Sequence, residues 1–142
     1  MTGSVTNGLP KGWVLSILEQ VCYVQGGYSF KSKDYQNSGL PLLRISNINN
    51  NRVSFDNDTV FLPNQYQSHY SNYLLEKEDI VIALSGATTG KFGIYEIDEP
   101  ALLNQRVGRL KYHCRDSISN LYLFYYMEII RQKILQKAYG AA

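Results

Sequence analysis

The sequence predicts an α+β fold, with a mixed α/β arrangement as the alternative, from two observations. Short apolar and alternating segments typical of strands fill the middle of the 142-residue chain, and helical patterns stand at its two ends. With 44% hydrophobic and 18% charged residues, the composition is that of one globular domain. We expect this domain to span residues 9–142, after a flexible polar lead-in over residues 1–8.

Two short helices are predicted before and within the strand-rich region. Residues 16–19 carry the Ser-x-x-Glu pattern of a capping box, which predicts the start of a helix. Trp13, just before this pattern, is expected in the core. Pro63 is expected to open a second, polar helix that runs to about Tyr73.

The end of the chain predicts a longer amphipathic helix. Apolar residues recur there at steps of three and four, so that they share one face of a helix. The helix is expected to begin near Ser117 or Ser119 and to stop at Gly140. The residues on its apolar face are Leu123, Met127, Ile130, Ile134 and Ala138.

Six segments are predicted as strands because they are apolar or alternating and are bounded by turn residues. Residues 80–84 form the longest clean apolar run and should be a buried strand, with residues 92–95 as its hairpin partner. The asparagine-rich residues 47–51 are expected to be the turn of another hairpin. The predicted strands are residues 23–25, 42–45, 52–55, 80–84, 92–95 and 106–111.

The charges of the chain are unevenly distributed along a mildly basic sequence, whose net charge is +2. Residues 31–52 carry four basic residues and one acid, and residues 106–115 carry four basic residues and no acid. Half of the 12 acids lie in residues 76–79 and 96–99. The pattern indicates a basic face on a nearly neutral protein, with an ordinary solvated surface of mixed charge as the alternative.

Features that would place the protein in a membrane or outside the cell are missing from the sequence. The longest clean apolar run is far shorter than the stretch of about 20 residues that a membrane helix needs. The N-terminal residues lack the basic and apolar regions of a secretory signal, so the protein is expected in the cytoplasm. The two cysteines, Cys22 and Cys114, are far apart and are expected to be reduced thiols.

Sequence motifs for catalysis and cofactor binding are also missing. Residues 86–91 are similar to a phosphate-binding loop, which has four residues between its glycines and a hydroxyl residue after its lysine. Here three residues separate the glycines, and Phe92 follows Lys91. His69 and His113 lack further ligands at metal-binding spacing, and no Gly-x-Ser-x-Gly nucleophile elbow is present. The sequence therefore predicts no cofactor, no metal site and no enzymatic activity.

Polar loops on an aromatic-rich scaffold are the remaining candidate for a functional surface. Residues 26–33 combine glycines with two aromatic residues and two lysines, in a chain that has 12 tyrosines. Residues 104–106 are Asn-Gln-Arg; Asn and Gln can each form two hydrogen bonds with adenine, and Arg two with guanine. The hydroxyls and the lysine of residues 85–91 can hold phosphates. These patterns favour a nucleic-acid surface, with ordinary polar loops over packed tyrosines as the alternative.

Several segments identify a family when they are taken together in order and spacing. They read LPKGW at 9–13, GYSF at 27–30, GLPLLRISNI at 39–48, EDIVIALSGATTGKFGI at 78–94, LNQRVGRL at 103–110 and YLFYY at 122–126. Over roughly residues 9–140 the sequence thereby resembles the target recognition domain in the DNA-specificity subunit of Type I restriction–modification systems.

This resemblance implies a non-catalytic domain that binds double-stranded DNA and reads one half of a bipartite target. It also implies a curved mixed β-sheet with short helices, long DNA-facing loops and a C-terminal helix. In the family, long spacer helices bind modification (methyltransferase) subunits, and a restriction subunit joins the complex. S-adenosylmethionine, ATP and magnesium belong to those partners. The chain stops where a spacer helix is expected, so we expect a truncated domain whose partner subunits bind through regions missing here.

Twelve residues are the candidate DNA contacts, and the resemblance suggests further ones in the stretches that are less typical of the family, residues 49–57 and 64–73. Two alternatives stay open at this stage. One is the recognition lobe of a fused methyltransferase or restriction enzyme, and the other is a module that binds carbohydrate or protein. The candidate contacts are Tyr28, Lys31, Ser32, Lys33, Arg44, Asn47, Ser85, Thr88, Thr89, Lys91, Gln105 and Arg106.

Overall fold

The protein folds into two mixed β-sheets with short helices, as seen in a computed structural model that describes residues 8–86, 90–114, 118–131, 133 and 136. The helices in the described part are α1 (Leu18–Val21), α2 (Tyr66–His69) and α3 (Asn120–Ile129). The strands are β1 (Cys22–Gly26), β2 (Leu40–Leu43), β3 (Ile48–Asn49), β4 (Arg52–Val53), β5 (Phe61–Leu62), β6 (Ile80–Ala83), β7 (Phe92–Ile94), β8 (Leu102–Leu103) and β9 (Val107–Tyr112).

The larger sheet has six strands in the order β1-β9-β6-β7-β4-β3. Its neighbouring strands are antiparallel except for β4 and β7, which are parallel. The smaller sheet has the order β5-β2-β8, in which β2 and β8 are parallel. The α+β prediction with mixed strand pairing is therefore confirmed, and the strands are divided between two sheets.

Strand β6 lies at the centre of the larger sheet because its apolar residues can be covered on both faces. Ile80, Val81 and Ala83 are buried, and Ile82 is partly buried. The strand pairs with β7 as the predicted hairpin and with β9 on its other side. The strands on either side of β6, β7 and β9, both run antiparallel to it.

Helix α3 covers one face of this sheet. Leu123 and Met127 are buried and pack with Ile80 and Phe92. Ser119 caps the helix by accepting a hydrogen bond from the backbone N–H of Tyr122 at 3.4 Å, which confirms the later of the two predicted starting points. Two further predicted members of the apolar face and the predicted end lie outside the described residues; they are Ile134, Ala138 and Gly140.

The N-terminal predictions are partly wrong. Trp13 is 48% exposed, and its ring packs in a T-shaped arrangement with that of Tyr122, with the centroids 5.6 Å apart. Helix α1 exists, but Ile17 is its N-cap and no side chain caps it. The hydroxyl of Ser16 instead donates to the side chain of Gln20 at 3.2 Å, so the capping box does not form.

Several strand ends differ from the predictions for local reasons. Strand β2 starts at Leu40 and ends at Leu43, because Ile45 enters the 3₁₀ turn Ile45–Asn47. Leu84 lies beyond β6 and is partly exposed. Strands β3, β5 and β8 were not predicted, since two residues each are too few to show a pattern. The predicted turn over residues 47–51 is therefore shorter, at Asn50 and Asn51, and it joins β4 to β3 rather than to β2. The predicted polar helix over residues 63–73 is divided into α2 and a 3₁₀ turn, Ser71–Tyr73.

Arg109 on β9 is a buried charge that joins three parts of the chain. Its side chain is 4% exposed and forms an ion pair with Asp79, with Nη1 3.0 Å from Oδ2. Its Nε donates to Gln25 Oε1 at 2.8 Å, and its Nη2 donates to the carbonyl of Asn72 at 2.7 Å. Nη1 also donates to the carbonyl of Leu74. The guanidinium thereby holds the segment around residues 72–79 against β1 and β9.

No described helix is long and apolar enough to cross a membrane. Cys22 is buried, Cys114 is exposed, and neither belongs to a disulfide. Burial raises the pKa of the Cys22 thiol, which keeps it in the neutral form.

We predict that the substitution Arg109→Met lowers the free energy of unfolding by about 3–5 kcal/mol, because Asp79 and two carbonyls lose a buried partner. The matched control is Arg52→Met, since Arg52 forms an exposed ion pair with Glu96. That change should cost at most about 1 kcal/mol. Denaturant-induced unfolding measures both values. Equal losses in the two variants would contradict the role assigned to Arg109.

Candidate nucleic-acid interface

The ends of four neighbouring strands, β1, β9, β6 and β7, bring several of the candidate DNA contacts to one edge of the protein. Because the strands are antiparallel, the ends of β1 and β6 lie beside the starts of β7 and β9. The pairs Gly26–Gly108, Ala83–Val107 and Ile82–Phe92 show this alignment. The loops at these strand ends carry Tyr28, Ser85, Lys91, Gln105 and Arg106. We call these residues the loop edge, together with Arg44, which follows β2 and is brought beside them by the bond between Asn104 and Leu43.

The turn between β8 and β9 lies at the centre of the loop edge. Gln105 and Arg106 are exposed at its tip. The carbonyl of Arg106 accepts a hydrogen bond from the backbone N–H of Leu84 at 2.8 Å, so the turn is fixed beside Ser85. The backbone N–H of Asn104 donates to the carbonyl of Leu43 at 3.3 Å, which fixes the turn beside Arg44. The turn therefore connects the two sheets.

Residues 26–28 run along the other side of the same turn. The N–H of Tyr28 donates to the carbonyl of Leu103 at 2.9 Å, and the N–H of Gly27 donates to that of Val107 at 3.2 Å. Gly27 has no room for a side chain, since a Cβ atom there would collide with the carbonyls of Leu103 and Asn104. Glycine at this position thus allows the two backbones to approach closely.

Tyr28 belongs to a group of aromatic rings that continues the loop edge. It is 39% exposed, and its ring centroid lies 4.8 Å from that of Tyr70, 4.9 Å from that of Phe30 and 5.5 Å from that of Tyr73. Tyr66 packs against Tyr70 at 4.8 Å. We call these five residues the tyrosine cluster. Desolvation raises the pKa of Tyr70, and its hydrogen bond with Tyr28 raises it further.

Lys31, Ser32 and Lys33 are exposed on the short 3₁₀ turn that follows Phe30. The turn is closed by a backbone hydrogen bond from Asp34 to the carbonyl of Lys31 at 2.9 Å. This turn directly follows Phe30 of the tyrosine cluster in the chain, and its three exposed residues form a second polar segment.

Lys91 is held at the start of β7 by contacts on both sides. Its carbonyl accepts the N–H of Ala83 at 2.7 Å, and its Nζ donates to Asn49 Oδ1 at 3.3 Å. The β3–β4 hairpin that carries Asn49 turns through Asn50 and Asn51, whose φ angles are 52° and 60°. Asn51 also donates to Glu128 of α3. The hairpin is thereby placed between Lys91 and the C-terminal helix.

Arg44 is half-buried and is partly engaged within the protein. Its Nη2 donates to the carbonyl of Asp58 at 2.6 Å, while its Nε is buried and has no hydrogen-bond partner among the described residues. Arg44 therefore stays a candidate contact that also holds the loop around residue 58.

Asn47 is withdrawn as a candidate contact because the structure gives it an internal role. It is 2% exposed; its Oδ1 accepts the N–H of Arg44 at 2.9 Å and its Nδ2 donates to the carbonyl of Ser54 at 3.2 Å. A buried amide with both groups bonded has nothing left to offer a base. Two other candidates, Thr88 and Thr89, lie outside the described residues.

The strand directions also separate the charges of the protein. The acidic residues 76–79 precede β6 and the acidic residues 96–99 follow β7, so both groups lie at the end of these strands opposite to Ser85 and Lys91. Lys77 and Asp98 join the two groups, with Nζ 2.8 Å from Oδ1. The hydrogen bond with Asp98 raises the pKa of Lys77. The loop edge is therefore the basic end of the larger sheet.

The stretches expected to hold further contacts reach the loop edge through side chains that were not singled out in the sequence. Asn49, from the stretch 49–57, bonds to Lys91. Tyr70, from the stretch 64–73, packs on Tyr28. The resemblance to the family indicated these stretches, but only the fold shows which of their residues lie at the edge.

A groove of about 550 Å³ lies between residues 71–76 and strands β1 and β9. Arg109 lines it, but its guanidinium is already bonded to four groups of its own chain. Among the described residues, no group of three or more histidine, cysteine or acidic side chains is arranged to hold a metal ion. The loop edge is thus the better candidate for a ligand surface.

Comparison with known proteins finds a matching family model and similar proteins. A family model described as the Type I restriction modification DNA specificity domain matches residues 10–142. The chain is 35% identical over 121 residues to the specificity subunit of the Type I restriction enzyme MjaVIII from Methanocaldococcus jannaschii, a match that covers 82% of this chain and 28% of that protein. It is 36% identical over 124 residues to the EcoAI specificity subunit from Escherichia coli, covering 84% and 21%. The chain thus spans about a quarter of the length of these relatives.

Solved structures share the fold. The HsdS subunit from Thermoanaerobacter tengcongensis superposes with a TM-score of 0.64 at 19% identity, over 89% of this chain and 30% of that one. The S subunit of a Type I restriction–modification system from M. genitalium gives a TM-score of 0.56 at 16% identity, over 85% and 28%. The arrangement of strands and helices described above is therefore one that these subunits contain.

We predict that Gly27→Ala destabilises the protein and that Gly26→Ala does not. The new Cβ at position 27 would collide with the backbone of Asn104, which must move, whereas position 26 is open. Overpacking of this kind costs about 1–3 kcal/mol. Thermal unfolding of the two variants is the measurement. A melting temperature of Gly27→Ala that equals that of Gly26→Ala would contradict the close contact between residues 26–28 and the β8–β9 turn.

Proposed function

Since the chain belongs to the family of Type I restriction modification DNA specificity domains, we propose that it reads one half of a bipartite double-stranded DNA target. Members of this family are the non-catalytic modules that recognise the target sequence in Type I restriction–modification systems. For this chain we propose two further steps. It reads one half of the target, and it directs a partner methyltransferase to that half-site.

The observation that carries the proposal is the exposed pair Gln105–Arg106 at the basic end of the larger sheet. Glutamine can form two hydrogen bonds with adenine, and arginine can form two with guanine, through base edges in the major groove. Both side chains belong to a turn that is fixed by two backbone hydrogen bonds, one donated by Asn104 to the carbonyl of Leu43 and one donated by Leu84 to the carbonyl of Arg106. A rigidly held turn with two base-reading side chains suits direct sequence readout.

Other side chains around this pair suit contacts with the phosphate backbone. Lys91 and Ser85 flank the turn, and Lys31 and Lys33 lie beside the tyrosine cluster. Contacts of lysine and hydroxyl groups with phosphates fix the register of a protein on DNA and carry no sequence information themselves. The acidic residues at the opposite end of β6 and β7 favour approach of DNA through the loop edge.

The partners follow from the same proposal. The chain spans about a quarter of the length of its relatives, so we expect modification and restriction subunits to bind parts of a longer specificity subunit outside this recognition domain. The domain itself then supplies DNA recognition, and the chemistry belongs to the bound subunits.

We predict that replacing Lys31, Lys33 and Lys91 by alanine weakens binding to all DNA sequences about equally. Each lost phosphate contact should lower the slope of log affinity against log salt concentration by about one. Fluorescence anisotropy with a randomised duplex, titrated at several salt concentrations, measures this slope.

The control for this triple variant is Lys77→Ala, which removes an exposed lysine at the acidic end of the protein. Its salt slope should stay close to that of the unchanged protein. If the triple variant keeps the full slope, these lysines do not contact phosphate. If binding of the unchanged protein does not depend on salt, a carbohydrate- or protein-binding module is favoured instead.

We further predict that Gln105→Ala and Arg106→Ala each remove preference at a position of the DNA sequence that the protein selects. The loss of a base contact should cost about 1–3 kcal/mol of discrimination at that position. Repeated selection from a randomised duplex library, followed by sequencing, gives the preference. Gln36→Ala, on the outer side of β5, is the matched control and should select the same sequence as the unchanged protein. If Gln105→Ala and Arg106→Ala both select the same sequence as the unchanged protein, the turn does not read bases directly.

A further inference from the structure

We propose that Asn104 is a positioning residue, which sets the shape of the turn that presents Gln105 and Arg106 and does not itself read a base. This inference rests on the proposed DNA-reading function and assigns a role within that site. Asn104 would control sequence specificity indirectly, by fixing where its two neighbours point.

The side chain of Asn104 is used within the turn. Its Oδ1 accepts a hydrogen bond from the backbone N–H of Arg106, two residues further on, at 3.2 Å. This is the arrangement by which asparagine stabilises tight turns. An asparagine that pairs with adenine through two hydrogen bonds needs both its amide oxygen and its amide nitrogen. In Asn104 the oxygen already serves the turn.

The backbone around Asn104 is fixed from three directions. Its N–H donates to the carbonyl of Leu43 on β2 at 3.3 Å, and its carbonyl accepts the N–H of Val107 on β9 at 2.9 Å. On the third side it forms a bridge with Tyr28. Asn104 thus lies where the smaller sheet, the larger sheet and the segment before the tyrosine cluster meet.

In the described part of the chain, the side chains of Gln105 and Arg106 form no hydrogen bond or ion pair of their own. Gln105 and Arg106 are exposed, so the direction in which they leave the protein is set by the backbone of the turn. That backbone is held by the Oδ1 bond at the N–H of Arg106 and by Leu84 at its carbonyl. Removing the Oδ1 bond breaks one of the two hydrogen bonds that hold the backbone of Arg106. Because base readout needs side chains placed to within a fraction of an ångström, this loss should weaken readout by Gln105 and Arg106.

Three variants of the complete chain test this role. Asn104→Ala removes the acceptor. Asn104→Ser keeps a shorter acceptor without charge, since serine forms similar turns more weakly. Asn104→Asp keeps the acceptor but lacks the amide nitrogen that adenine recognition requires. Each variant is assayed by thermal unfolding, by anisotropy with a randomised duplex and by sequence selection from a randomised duplex library.

We expect Asn104→Ala to reduce the ratio of selected to random affinity by roughly five- to hundredfold, the size of one or two lost base contacts. Its salt slope should stay unchanged, because the phosphate contacts remain. Asn104→Asp and Asn104→Ser should restore the preference at the positions that Gln105 and Arg106 read. The aspartate variant should do so at a lower affinity for every sequence, because its charge repels DNA.

The outcomes separate positioning from the other possible roles. If Asn104→Asp and Asn104→Ser select as poorly as Asn104→Ala, Asn104 reads a base directly and the proposal is wrong. If Asn104→Ala selects the same sequence with the same ratio as the unchanged protein, the turn does not need the side chain and the proposal is also wrong. If the unchanged chain itself selects no sequence, the proposed function fails, and the inference that rests on it fails too.

Discussion

The ion pair of Arg109 with Asp79 is the contact on which the arrangement of the protein depends most. A buried guanidinium must satisfy its hydrogen-bond donors, and Arg109 does so with groups from β1, from residues 72–74 and from the residue before β6. The segment held in this way leads into Tyr73, whose ring packs against Tyr28. The buried charge therefore determines how the tyrosine cluster lies against the loop edge, although Arg109 is not itself a proposed DNA contact.

Sequence patterns predicted those parts of the fold that depend on neighbouring residues. The apolar run of β6 and the start of α3 at Ser119 follow from local preferences and are confirmed, while the asparagine-rich turn is confirmed only at Asn50 and Asn51. The prediction that Trp13 lies in the core was wrong. Large apolar side chains are not always buried, because the exposed surface of folded proteins contains much apolar area. Strands β5 and β8 depend on β2 for their existence, so two residues alone could not reveal them.

The candidate site could be predicted as a set of residues but not as an arrangement. Composition placed Gln105, Arg106 and Lys91 in polar loops, and the order of segments related those loops to a family. The partner of Lys91 is Asn49, which lies 42 residues away in sequence, and only strand pairing brings them together. The error at Asn47 has the same origin. Its polar side chain is the internal support of a 3₁₀ turn, and sequence alone does not distinguish such support from a surface contact.

The exposed tip of the β8–β9 turn has a consequence for how such proteins change over time. The backbone of the turn is held by Leu43, Leu84 and Asn104, so the fold makes little use of the side chains at positions 105 and 106. Surface substitutions of this kind usually alter stability by less than about 0.5 kcal/mol. Under the proposed function, natural selection can exchange these two side chains and acquire a new target without first compensating for a damaged fold. Invasion by unfamiliar DNA would favour lineages whose recognition can drift in this way.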